Sequence, residues 1–238
     1  MGIVDTGARS VIASPAPRAT RGKILWRTIE SSLLATLIFW NVAGAEGGVF
    51  KGEIRLADHG PQTAPWLAET VVQLRPASSP AAEPAKASGE KARIVTIRKG
   101  AMSPDVIAVP RGTEVRFVNQ DEKIHNIVSA SPTKKFDLGM LATGESGSVV
   151  FDQPGVVRVG CKSEPTMEAY VVVTDGKRFA VGDERGLFEI QDVPPGSYVA
   201  EAWNPHYETV SQRISIDRDA QVVTTSLKFT TRRTVPWP

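Results

Sequence analysis

Apolar and polar residues alternate along this chain in short runs closed by Gly, Pro, Asn or Asp, the period-two pattern of half-buried strands. Outside the N-terminal region no twelve-residue segment places apolar residues at helical spacing, so the pattern predicts an all-β protein. The predicted strands are Val49–Leu56, Glu69–Leu74, Ile94–Arg98, Val106–Val109, Glu114–Asn119, Ser148–Phe151, Val156–Gly160, Tyr170–Thr174, Phe188–Ile190, Tyr198–Trp203, Glu208–Ile216 and Val222–Thr230. Between Pro76 and Lys91 the alternation stops. That stretch holds three prolines and no large apolar residue, and reads as a semi-extended linker over 76–91.

The segment 47–75 before the linker supplies only two strands, too few to enclose a core. It must pair with something later in the chain. The N-terminus follows a different rule. Arg18, Arg21, Lys23 and Arg27 precede the apolar run Leu33–Trp40 and then Val42-Ala43-Gly44-Ala45, the order of a secretory signal with cleavage expected after Ala45. Residues 1–45 are therefore expected to be a signal peptide with an extended leader, and no stable membrane insertion is expected once it is cleaved; an uncleaved anchor is the other reading of the same run.

Composition sharpens this. The 238 residues are 41% hydrophobic and 23% charged, ordinary globular material. The formal net charge is +2, but residues 1–45 contribute five Lys/Arg and two Asp/Glu, which leaves −1 for the rest. No basic face with interleaved aromatics remains to suggest nucleic-acid binding. The single cysteine, Cys161, excludes an intramolecular disulfide. An unpaired thiol in an exported protein invites unwanted pairing unless it is buried or bound to a metal, which leans toward a ligand role.

Two groups of motifs carry more. The first runs Asn119-Gln120-Asp121-Glu122-Lys123-Ile124-His125-Asn126-Ile127, then Phe151-Asp152-Gln153-Pro154-Gly155, then Cys161-Lys162-Ser163-Glu164-Pro165-Thr166-Met167. Over 92–175 this resembles the cupredoxins, in particular the short-loop members of amicyanin type. Their ligand segments read N-x-D-x-x-x-H-N and F-x-x-P-G, followed by C-x-x-H-x-x-M. The resemblance implies a Greek-key β-sandwich with His125 as the first imidazole ligand of copper, Cys161 as the thiolate and Met167 as the axial thioether. It also implies that Asn126 ties the two ligand loops together without touching the metal. Glu164 stands where the second His belongs.

The second group is Asp183, Gly186 and Phe188, then Pro194-Pro195-Gly196 and Tyr198. It resembles the carboxypeptidase-regulatory or transthyretin-like sandwich, with its D-x-x-G-x-F and P-P-G-x-Y turns. In that family the first two strands lie directly before the D-x-x-G turn. Here they lie at 47–75, so the resemblance implies one transthyretin-like domain, 47–75 plus 177–231, into which the cupredoxin domain 92–175 is inserted. Secreted proteins of methylamine-utilisation type that join these two regions are similar over nearly the whole chain after residue 45.

A carboxylate in an imidazole position gives a His125, Cys161, Glu164, Met167 donor set with one negative charge more than the family's. Burying that charge disfavours reduction of Cu(II), and the set also suits Zn(II) or another divalent ion. Without an ion, the carboxylate is expected to raise the thiol pKa and leave Cys161 protonated. Three functions follow. The first is an exported copper-binding one-electron carrier that meets a periplasmic redox protein transiently through the apolar rim of its ligand loops, Pro165 included. The second is a metal-free scaffold that binds an envelope protein or a glycan. The third, an enzyme with an open copper position, finds no recognisable general acid or base beside the site, and the chain is read as non-enzymatic. His59 and His206 fall in turns and are expected at the surface.

Overall fold

The structure, a computed structural model, describes residues 47–56, 65–78 and 91–234. The expected signal peptide, His59 and most of the linker lie outside the described residues. Sixteen strands and one 3₁₀ turn, Pro65–Glu69, make up the elements of this part, so the all-β class read from the sequence is the class observed.

Two strands precede the linker, β1 (Gly48–Leu56) and β2 (Val71–Pro76). Nine follow it up to residue 174: β3 (Arg93–Arg98), β4 (Ala101–Ser103), β5 (Val106–Pro110), β6 (Thr113–Asn119), β7 (His125–Ser129), β8 (Phe136–Leu141), β9 (Ser146–Phe151), β10 (Gly155–Cys161) and β11 (Glu168–Thr174). Five more close the chain: β12 (Phe179–Val181), β13 (Leu187–Val193), β14 (Gly196–Trp203), β15 (Val210–Ile216) and β16 (Val222–Phe229).

Strands β3 to β11 pair only among themselves, in the sheets β4-β3-β6-β9 and β5-β11-β10-β7-β8. Their inward residues form one core that includes Val95, Phe117, Ile127, Phe151, Val157, Val159 and Val171, with Cys161 and Met167 at its end. Alternation explains it: along β10, Val157, Val159 and Cys161 share one face, while Val156 and Arg158 share the other. The remaining strands form the sheets β13-β1-β16 and β12-β2-β14-β15 around a second core with Phe50, Ile54, Leu74, Phe188, Ala200 and Phe229.

The two early strands thus find their partners after residue 178. β1 runs antiparallel to β13 and parallel to β16, and β2 lies between β12 and β14. The turn chemistry of this half matches its sequence. Asp183 accepts hydrogen bonds from the backbone N–H groups of Arg185 and Leu187 through one carboxylate oxygen, and Gly186 takes a φ of 76° that a side chain would strain. The Tyr198 hydroxyl donates to the Pro194 carbonyl at 2.8 Å across the Pro-Pro-Gly turn.

Four strands lack a sequence signal. β4 and β12 have three residues each, too few for an alternation to register. β7 opens on His-Asn and is almost wholly buried, and β8, with Asp137 and Gly139 (φ 72°), pairs with it across a register shift between Asn126 and Val128. The segment expected as a strand from Glu69 begins instead with the 3₁₀ turn, and the strand starts at Val71.

Candidate metal centre

The two segments expected to bear ligands are β7, which opens with His125, and β10, which ends with Cys161. They are neighbouring antiparallel strands with Cys161 in register with Ile127, and the Lys162 N–H donates to the Asn126 carbonyl at 3.0 Å. That pairing sets the histidine beside the thiol: His125 Nδ1 is 3.6 Å from Cys161 Sγ, with the ring 1% and the cysteine 5% exposed.

The other ring nitrogen meets a carboxylate. His125 Nε2 lies 3.3 Å from Asp121 Oδ2, which also accepts the Gly100 N–H at 2.7 Å. The Gly100 hydrogen bond holds the Asp121 carboxyl below its ordinary value against partial burial, with smaller help from Glu122 and His125. An ionised carboxylate only accepts, so Nε2–H donates to Asp121, and Nδ1 is the ring nitrogen that faces the sulfur. A carboxylate behind an imidazole is the usual support of a metal-binding histidine.

Glu164 comes next. Its Oε2 stands 4.0 Å from His125 Nδ1, and the carboxylate packs against the Lys99–Gly100 turn that joins β3 to β4. A Cβ on Gly100 would lie 2.8 Å from Glu164 Oε1, so the missing side chain is the cradle in which the carboxylate rests. Met167 is 2% exposed in the same core as Cys161, and its N–H donates to the Glu164 carbonyl at 3.0 Å, closing the loop 162–167.

Asn126 is placed between the strands. Its Nδ2 donates to Asp137 on β8 at 2.9 Å, and its buried Oδ1 has no hydrogen-bond partner among the described residues. Asp137 also accepts from Lys162 at 2.7 Å and from the Gly139 N–H at 2.9 Å. The Lys162 bond, with those of Gly139 and Asn126, lowers the Asp137 carboxyl to about 2. One carboxylate thereby holds the residue after His125 and the residue after Cys161.

The thiol corrects an expectation. Burial pushes Cys161 up, but hydrogen bonds from the Ser163 and His125 side chains and from the Asn126 and Ser163 backbone outweigh it, and the net direction is down. The expected rise from Glu164 is absent because that carboxylate faces His125 and the Gly100 turn, while the sulfur is ringed by donors.

Two donors held 2.0–2.3 Å from one ion at the tetrahedral angle stand about 3.5 Å apart. The Sγ–Nδ1 separation of 3.6 Å therefore fits a shared ion, with an imidazole nitrogen and the sulfur as its donors. The Glu164 oxygen stands off further. Among the described residues no group of three or more His, Cys, Asp or Glu side chains is gathered closely enough to hold an ion.

Sequence reasoning named His125, Cys161, Glu164, Met167 and Asn126 but gave no role to Asp121 or Ser163. Asp121, four residues before His125 within the quoted motif, was available as a signal. His206 lies in the other half of the molecule, half-exposed and paired with Glu69 at 3.1 Å, as a surface residue.

No family model and no curated protein matches the chain. Similar solved structures are cupredoxins. A novel purple cupredoxin from Nitrosopumilus maritimus aligns at 29% identity over 34% of this chain and 99% of its own, with a TM-score of 0.32. An amicyanin variant in its reduced Cu(I) form at pH 4 aligns at 21% identity over 43% of this chain and 99% of its own, with a TM-score of 0.34. A Cu-containing nitrite reductase from Thermus scotoductus SA-01 aligns at 23% identity over 40% of this chain, with a TM-score of 0.35; the match spans 26% of that enzyme. Among the described residues no helix is long and apolar enough to cross a membrane.

Proposed function

We propose that this is an exported copper-binding protein of cupredoxin type that carries one electron at a His125–Cys161 site altered by Glu164. The observation that carries the proposal is the 3.6 Å approach of His125 Nδ1 to Cys161 Sγ with Asp121 behind the ring, which leaves an imidazole nitrogen and a sulfur side by side. Cys161, His125, Met167 and Glu164 would hold copper, which supplies one-electron exchange. Burial excludes water from the first two, and the Asp121 and Asp137 hydrogen bonds hold their segments in place.

Glu164 adds a negative charge to that set and so favours the oxidised ion, giving a low potential and a red or green colour. Ile124 (53% exposed) and Met140 (65% exposed) flank the two ligand segments and extend the apolar rim expected around Pro165. A transient periplasmic redox partner would dock there. In this reading residues 1–45 direct export, and a cupredoxin domain over 92–175 is carried within a transthyretin-like domain made from 47–75 and 177–231.

A second reading rests on the wide stand-off of Glu164 and the lack of a three-donor group among the described residues. In it the sandwich holds no metal and serves as an interaction module in the envelope. One experiment separates the two. The chain from residue 46 is expressed in copper-containing medium, and metal content and visible spectrum are recorded before and after mild oxidation. Stoichiometric copper with a sulfur-to-copper charge-transfer band supports the carrier; a colourless protein that ignores added Cu(II) sinks it. Glu164→His is expected to give a blue site, and if that variant also binds nothing, the assignment of the ligand loop is wrong.

A further inference from the structure

Away from the His125–Cys161 centre, a polar hollow opens where the two sandwiches meet. It holds about 230 Å³ and is lined by Glu168 and Tyr170 of β11 on one side and by His206, Arg232, Arg233 and Thr234 on the other. The second wall is a short ladder beyond β16. Tyr207 pairs with Arg232, the Glu208 N–H donates to the Thr231 carbonyl at 2.9 Å, and the Arg233 N–H donates to the His206 carbonyl at 2.8 Å. We propose that this hollow binds free hydrogen phosphate, held by the guanidinium groups of Arg232 and Arg233 and donating a hydrogen bond from its own hydroxyl to Glu168.

The acidic groups around the hollow are already countered. Glu168 Oε2 takes Nε and a terminal nitrogen of Arg158, both at 2.9 Å, and Glu208 lies 3.5 Å from Arg233. His206 faces Glu69 at 3.1 Å. The Arg233 side chain is 10% exposed and is fixed by a 2.8 Å hydrogen bond to the Tyr207 carbonyl. Arg232 is exposed, and its side chain makes no hydrogen bond or ion pair among the described residues. A guanidinium presents paired N–H groups that match two oxygens of a phosphate, so the fork of Arg232 is available to an oxyanion. The volume suits one such ion with a few waters and lies below the roughly 300–1,000 Å³ of pockets that bury larger organic ligands.

Glu168 decides which oxyanion fits. Arg158 takes only Oε2, and Oε1 is left to accept from another donor. Sulfate, or a phosphate monoester above its second pKa of about 6, offers acceptors alone and meets that carboxylate unfavourably. Hydrogen phosphate brings a P–O–H that donates to it. Burial, then the Glu168 charge, push the Tyr170 phenol up, so its hydroxyl stays a donor on the same wall. Because the walls belong to different sandwiches, a bound ion stabilises their docking.

This inference is independent of the copper reading, and it is tested on the whole chain with no metal added. Inorganic phosphate, sulfate and O-phosphoserine are titrated by calorimetry at about pH 7.5, where the monoester has lost its last proton, and at constant ionic strength. The thermal midpoint is recorded over the same concentrations, and circular dichroism checks the fold of each variant. Phosphate is expected to fill one saturable site and to raise the midpoint, with sulfate and phosphoserine about tenfold weaker. Arg232→Gln weakens phosphate on the order of tenfold, whereas Arg213→Gln, at an exposed arginine of β15, leaves it unchanged. Glu168→Gln supplies a donor and narrows the gap between phosphate and sulfate.

Phosphate that never saturates overturns the site. Equal losses in Arg232→Gln and Arg213→Gln overturn it too, because surface charge is then the cause. A wild type that takes sulfate as tightly as phosphate overturns the part given to Glu168 and with it the choice of ligand. Should Arg232→Gln fail to fold, Arg232→Lys keeps the charge without the fork and is expected to bind phosphate several-fold more weakly; an affinity equal to wild type overturns the paired contact.

Discussion

Asp137 illustrates how the segments that carry His125 and Cys161 are held by a residue the sequence does not single out. Its two oxygens take hydrogen bonds from Asn126, Gly139 and Lys162, and its carboxyl falls from an ordinary 3.8 to about 2. A carboxyl lowered on folding contributes stability that is present above its unfolded value and lost as pH falls through the folded one. Stability is therefore expected to drop between about pH 4 and pH 2, and Asp137→Asn to flatten part of that slope in urea denaturation measured across the interval. Part of the slope stays, because Asp121, Asp152 and Asp183 are lowered in the same direction. A variant with an unchanged slope would show that the clamp contributes nothing to folding. At this scale the sequence is legible where a role depends on spacing within a segment. His125 and Cys161 stand out by their motifs, and Asp121 by its place four residues before the histidine. The Glu164 contact with Gly100 is not legible, since it depends on how a turn some sixty residues away passes over the loop.

Among the elements, the corner at Trp203-Asn204-Pro205 binds the end of β14 to the 3₁₀ turn Pro65–Glu69. Asn204 is fully buried; its Nδ2 donates to the Trp66 carbonyl and to the Thr70 hydroxyl, both at 3.0 Å, and its Oδ1 accepts the His206 N–H at 2.9 Å. An amide is the one small group that supplies two donors and an acceptor together. Asn204→Ala removes all three partners at once, and is expected to cost about 1–3 kcal/mol in chemical denaturation, the penalty of leaving buried polar groups unpaired. A loss within about 0.5 kcal/mol, typical of a surface change, would mean that water replaces the amide. The same element shows why the 3₁₀ turn escaped the sequence pattern. Its register depends on a hydrogen bond to a residue more than a hundred positions on, whereas β1, β6, β10 and β14 announce themselves by alternation alone. β7 and β8 are hidden for a related reason: one is buried along nearly its whole length, the other is mostly exposed with Asp137 and Gly139 interrupting its apolar residues, and they pair with each other across a register shift.

For the whole molecule, the decisive surface lies between the two sandwiches. Val106 and Ala108 of β5, Val156 of β10, and Tyr170 and Val172 of β11 pack with Val71 of β2 and Trp203 of β14 in a third apolar cluster, and Phe179 closes its edge. Tyr170 and Trp203 meet with ring centroids 5.4 Å apart. These residues face away from both cores, and each sandwich alone would expose them. The chain also passes between the sandwiches twice, and where it returns the Arg178 carbonyl accepts the N–H of Leu74 on β2 at 2.9 Å. Two crossings and a shared apolar face argue that neither sandwich unfolds without uncovering the other, so calorimetry is expected to show one transition with equal calorimetric and van't Hoff enthalpies. Trp203→Ala removes the largest side chain of the cluster. It is expected to cost about 3–5 kcal/mol and to split the transition in two, because the cores around Phe117 and Phe50 are otherwise untouched. Two transitions already in the wild type would mean that the cluster does not couple the halves. The consequence reaches the site through β10, whose outward Val156 belongs to the shared face while its inward end is Cys161. In the split variant the half that carries His125 and Cys161 melts by itself, and the thiol becomes reactive at that half's own midpoint rather than at the midpoint of the whole chain.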